Sequence, residues 1–128
     1  MRFRPVAILA VVVLTAACRR TPAPDPYWSQ VDGLYSQASQ VFTTAYANPT
    51  PDAVTRLQSY RDQIQALPHP TAANRYHELL VAELDGGVAL LTARRDRDPK
   101  GDQLDAKVRD LQKQVDDERR RLAPDAAS

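Results

Sequence analysis

Proline placement is the feature that most narrows what this chain can fold into. A proline inside a helix removes a backbone hydrogen bond and clashes with the preceding turn, so helices stop at or near it. Past residue 26 the prolines fall only at 49 and 51, 68 and 70, 99 and 124. The stretches between them are long enough for helices, and each carries an apolar stripe at helical spacing. No stretch shows the alternation of a half-buried strand.

The first segment, 27–47, places Trp28, Val31, Tyr35, Ala38, Phe42 and Ala45 at 3-4-3-4-3 spacing. Leu34, Val41 and Tyr46 widen this stripe, and Tyr27 falls outside it. Asn48-Pro49-Thr50-Pro51 ends it and starts the next, with Thr50 as N-cap and Pro51 in the first turn. Val54, Leu57, Tyr60, Ile64 and Leu67 line the second segment, which Pro68-His69-Pro70 closes. Thr71 is expected to cap a third segment reaching about residue 97, with Tyr76, Leu79, Leu80, Leu84, Val88 and Leu91 inward. Gly86-Gly87 in its middle predicts a kink or a close helix crossing. The fourth opens near Asp98 or Asp102 as N-cap and runs to about Leu122. Leu104, Val108, Leu111, Val115 and Leu122 keep heptad spacing, and Glu118 interrupts the seam. Asp105/Arg109, Asp116/Arg120 and Asp117/Arg121 are expected i,i+4 pairs.

Short, proline-bounded links between amphipathic helices favour antiparallel neighbours. The expected fold is therefore all-α, an up-down bundle of four helices over 27–123 with a short tail at 124–128. A three-helix bundle with a projecting fourth helix is the alternative.

Ahead of this domain, Arg2 and Arg4 precede an uncharged apolar run over 6–17 that ends in Leu14-Thr15-Ala16-Ala17-Cys18. The run is shorter than the ~20 residues a membrane span needs, and its layout is that of an export signal. It resembles the signal peptides of bacterial lipoproteins, with Ala17 before the single cysteine and Leu14 one step upstream of the usual leucine. The resemblance implies that residues 1–17 are removed and that Cys18 carries diacylglycerol and often an N-acyl chain. It further implies a cell-envelope location facing the periplasm or the exterior. Arg19 stands where some lipoproteins carry an Asp that retains them in the inner membrane, so in a two-membrane cell the outer membrane is implied. A lone cysteine has no internal disulfide to make, and lipidation gives it a role. Two or more acyl chains, at about 0.8 kcal/mol per buried CH₂, anchor a protein stably. Residues 18–26 form a Pro-rich tether, of which 19–26 would span about 25 Å when extended. Arg19 and Arg20 sit where anionic headgroups would lie.

The chain carries 17 basic and 16 acidic side chains, and loss of 1–17 takes Arg2 and Arg4 with it. The resulting near-neutrality argues against a nucleic-acid partner. Candidate chemistry is sparse. His77 lacks the second histidine of a zinc-protease helix, and no Glu-x-x-His pair marks a di-iron bundle. A metal site would need His77, Glu83 and other helices to converge. Asp96, Asp98, Gly101 and Asp102 imitate a calcium loop, but Lys100 and Lys107 occupy two ligand positions. There is no Gly-x-Ser-x-Gly elbow, Ser-x-x-Lys motif or phosphate loop. His69 and His77 read as surface or boundary residues, and the aromatic side chains read as core.

The expected function is that of a non-catalytic, lipid-anchored interaction or structural module without a cofactor. It is held to the membrane through Cys18, with the charged fourth helix as the face for a protein partner or self-pairing. The alternative is a carrier of a small apolar ligand or a metal, in a groove that Gly86-Gly87 would make room for. An enzyme using His77 or Glu83 is the third reading.

Overall fold

The computed structural model describes residues 26–122. The expected signal peptide, Cys18 and the expected tether up to residue 25 lie outside the described residues, as does the expected tail. Four helices follow in order: α1 (Pro26–Tyr46), α2 (Pro51–Gln65), α3 (Asn74–Arg95) and α4 (Gly101–Leu122), with a 3₁₀ turn at Thr71–Ala73. The chain is an all-α four-helix bundle. Among the described residues no helix is long and apolar enough to cross a membrane.

Successive helices pack side by side, and α3 is the hub, touching the other three. Its buried positions go most of the way round it: Tyr76, His77, Leu80, Glu83, Leu84, Gly86, Gly87, Leu90, Leu91 and Ala93. From α1 the core takes Tyr27, Val31, Ala38, Val41 and Ala45, and from α2 Leu57 and Ile64. Trp28, Tyr35, Phe42, Val54, Tyr60 and Leu67 lie against this core, half-buried. Tyr27 is a correction to the stripe read from sequence, being only 2% exposed. α1 begins at Pro26, and Tyr27 in its first turn lies against His77 and His69.

The start of α2 is as expected: Thr50 Oγ1 accepts the Ala53 N–H at 3.2 Å, with Pro51 in the first turn. The start of α3 is not. Thr71 opens the 3₁₀ turn instead, and α3 begins at Asn74 without a side-chain cap. The α3–α4 link begins with a closure of α3. The Arg97 N–H donates to the Arg94 carbonyl and the Asp98 N–H to that of Ala93, a Schellman closure. Arg97 takes the left-handed position usually given to glycine, at φ 54°. Asp98 caps the turn that leads into α4, as expected: its carboxylate accepts the Lys100 N–H at 2.9 Å and its carbonyl the Gly101 N–H at 3.0 Å, with Pro99 between, and the regular helix runs from Gly101 with Asp102 in its first turn.

Gly86-Gly87 marks a close crossing, and α3 continues through it as one helix. A Cβ on Gly86 would stand 3.1 Å from Val108 of α4, and one on Gly87 would stand 3.4 Å from Leu57 of α2. Val108 and Val115 of α4 are buried, with Leu104, Leu111 and Leu122 half-buried. Glu118 does not break the seam. It is buried there, its carboxylate held by Arg121 through Nε at 3.0 Å. Asp105–Arg109 forms as expected at 3.2 Å, whereas Arg120 reaches Asp117 and Arg121 reaches Glu118, each one residue nearer than read from sequence.

Between α1 and α4 the contact is made by long side chains. Arg119 pairs with Asp32 at 2.9 Å and stacks 4.0 Å over Trp28. The start of α1 and the end of α4 therefore share one end of the bundle. At the other end Arg94 of α3 donates to the Tyr46 carbonyl at 2.7 Å and covers the Tyr46 ring.

Candidate functional site

Besides Glu118 of α4, polar chemistry is buried at two places, both centred on α3. The first is Glu83, 5% exposed. It belongs to the inward stripe Tyr76-Leu80-Glu83-Gly87, so helix periodicity alone carries it into the bundle. Tyr35 of α1 donates its hydroxyl to both carboxylate oxygens, at 2.9 and 3.0 Å. Among the described residues no lysine or arginine pairs with Glu83. Burial pushes its carboxyl up to about 7, the Tyr35 hydrogen bond opposes that shift, and Asp116 of α4 adds to it. Burial and the same carboxylate also push the Tyr35 hydroxyl up. Glu83 is thus a carboxyl that holds or releases its proton near neutrality.

Beside it is a cavity of about 50 Å³ to which every helix contributes: Phe42, Leu57, Glu83, Gly87, Val108 and Gln112 lie in its wall. The walls are about evenly apolar and polar, and among the described residues Glu83 is the sole ionisable group in them. Gly87 matters here because a bare backbone lets Leu57 and Phe42 close one side without filling the space.

The second place is at the end where α1 begins. His77, 5% exposed, has its Nδ1 3.0 Å from the Tyr27 hydroxyl and its Nε2 3.4 Å from the Gln65 carbonyl. A carbonyl only accepts, so Nε2 carries the proton and Nδ1 accepts from Tyr27. The His69 ring stacks on His77 at 4.0 Å, and its Nε2 lies 2.7 Å from Asn74 Oδ1. Burial, then the neighbouring His69, lowers the His77 basicity. Burial also raises the Tyr27 hydroxyl, with Tyr76 and Asp32 adding to it. Both His77 nitrogens are engaged, so the group pins the start of α1 onto the loop before α3.

His77 is therefore not the surface or boundary histidine read from sequence. The structure does not bring His77 and Glu83 together: six residues apart on α3, they face different partners. Among the described residues no three His, Cys, Asp or Glu side chains gather as metal ligands would. The Asp96–Asp102 stretch is used in the helix closure described above. Sequence reading named Glu83 as a metal ligand or catalytic candidate and missed its pairing with Tyr35, though the spacing from Tyr76 through Gly87 carried the signal. Comparison with protein-family models, with curated proteins and with solved structures finds no match for this chain.

Proposed function

We propose that the protein is a lipid-anchored, non-catalytic helical module of the bacterial cell envelope that works by engaging another protein on the outer face of α4. The observation that carries this reading is the division of α4 into two faces. Its apolar stripe lies against α3, while Lys107, Arg109, Asp110, Lys113, Asp117 and Arg120 point to solvent. Self-pairing as a coiled coil would need the stripe that α3 already covers, which favours a different protein as partner. A mixed-charge rim of this kind steers and orders encounters more than it adds affinity.

The test is a photo-crosslinker at Arg109 or Lys113 in cells. A defined adduct with one envelope protein is expected, and a monomer alone would overturn the reading. Cys18→Ser is expected to leave the bundle folded and free it from the membrane; a variant still in the membrane fraction would remove the anchor.

A second reading, a carrier of a small ligand, is favoured by one feature: the cavity between the helices beside Glu83.

A further inference from the structure

We propose that the cavity beside Glu83 is a binding site for a small primary ammonium ion, its head on the Glu83 carboxylate and its short hydrocarbon tail among Phe42, Leu57 and Val108. This rests on the carrier reading and names the ligand class.

Three observations carry it. The first is charge. A buried carboxylate normally has a cationic partner, because an isolated charge in an apolar interior is costly. Among the described residues Glu83 has only the Tyr35 hydroxyl, whose one proton is shared between both oxygens. A carboxylate has room for more donors than that, and an ammonium group would bring three.

The second is the wall. Phe42, Leu57, Leu84 and Val108 supply apolar surface, and Ser39, Thr43 and Gln112 supply polar atoms. A hydrated inorganic cation gains little from such a lining, since Mg²⁺ and Ca²⁺ require six or more oxygens. An alkylammonium ion uses both halves.

The third is size. One water needs roughly 10–15 Å³, and a benzene-sized cavity is about 150 Å³. At about 50 Å³ the space fits an ammonium group with a tail of one to three carbons.

The charged and titratable groups around the site are Tyr35 from α1, Asp116 from α4 and Tyr76 on α3 itself. None is a cation. Because the Glu83 carboxyl releases its proton around pH 7, the ammonium ion should bind about tenfold more tightly at pH 8 than at pH 6.

The experiment is an NMR titration of the full-length chain in detergent with n-propylammonium chloride and, separately, the neutral analogue 1-propanol. Propylammonium should shift the Tyr35, Glu83 and Gln112 resonances, more tightly at pH 8, with affinity reduced at least tenfold in Glu83→Gln. Glutamine keeps the volume and still accepts from Tyr35, so that variant should stay folded. Gly87→Ala is a second variant that narrows the cavity without touching the charge, and it too should weaken binding. If 1-propanol binds as well as propylammonium, or Glu83→Gln binds the ion unchanged, the ammonium assignment fails while the carrier reading stands. If neither probe binds at this site, both fall.

Discussion

A buried carboxyl binds its proton more tightly in the folded chain than in the unfolded one, so protonation favours folding. For Glu83 the ordinary value of 4.5 rises to about 7. The resulting stabilisation is complete below about pH 4.5 and is lost as pH climbs through 7, a change of up to about 3 kcal/mol. His77 works the other way. The fold holds its proton less tightly than the unfolded chain does, so stability is lost as pH falls below about 6.5. Between pH 4.5 and 6.5 the two slopes oppose each other. Glu83→Gln should therefore be more stable than the parent at pH 8, by about 1–3 kcal/mol, and equal to it near pH 4.5. It should also expose the acid-side loss due to His77. Urea unfolding at pH 4.5, 6.5 and 8 measures this, and parallel curves for both proteins would contradict it. A second residue-scale case is Arg97, whose left-handed backbone burdens any residue with a Cβ. Arg97→Gly should raise stability by about 1 kcal/mol, read as a higher urea midpoint with an unchanged slope.

At the scale of the element, the glycine pair of α3 separates two effects that usually come mixed. Replacing glycine by alanine inside a helix favours the helix by about 1 kcal/mol. At Gly87 the new Cβ would meet Leu57 and Phe42 at ordinary contact distance, whereas at Gly86 it would press on the branched Val108 at 3.1 Å. Valine has few rotamers with which to yield. Gly87→Ala should thus raise the melting temperature and Gly86→Ala should raise it less or lower it; the reverse order would contradict the crossing geometry. The same helix shows where sequence reading stops. The ends of α1 and α2 were legible because Pro49, Pro51, Pro68 and Pro70 act locally, and the inward faces of α1, α2 and α4 because one-sided burial leaves a periodic trace. For α3, burial comes from three neighbours at once, so His77 and Glu83 sit among leucines on a helix without a clear polar side. Which polar residue met which partner was invisible, since Tyr27 and Tyr35 lie 50 and 48 residues away.

For the whole molecule, antiparallel order makes almost every contact a contact between neighbours in sequence. α1 on α3 is one exception, and the clasp of Arg119 on Asp32 and Trp28 reaches further still, Arg119 and Asp32 lying 87 residues apart. Closing so long a loop costs only modestly more entropy than closing a short one, but the α1–α4 junction offers little packed surface in return. The order of assembly follows from this imbalance. The α1–α2 and α2–α3 hairpins and the α3–α4 pair can each form from nearby segments, leaving the clasp to engage last. On the return path it releases first, so the bundle should breathe by lifting the last turns of α4 away from α1 while α3 stays shielded. Amide exchange in Arg119→Ala should therefore quicken over 115–122 with little change in the middle of α3. Uniform quickening along the chain would mean that the clasp is part of one indivisible unit. If it does open alone, the chain has a hinged flap at the end from which α1 starts, and under the proposed anchor a pull on the start of α1 would strain the clasp holding that flap before the rest.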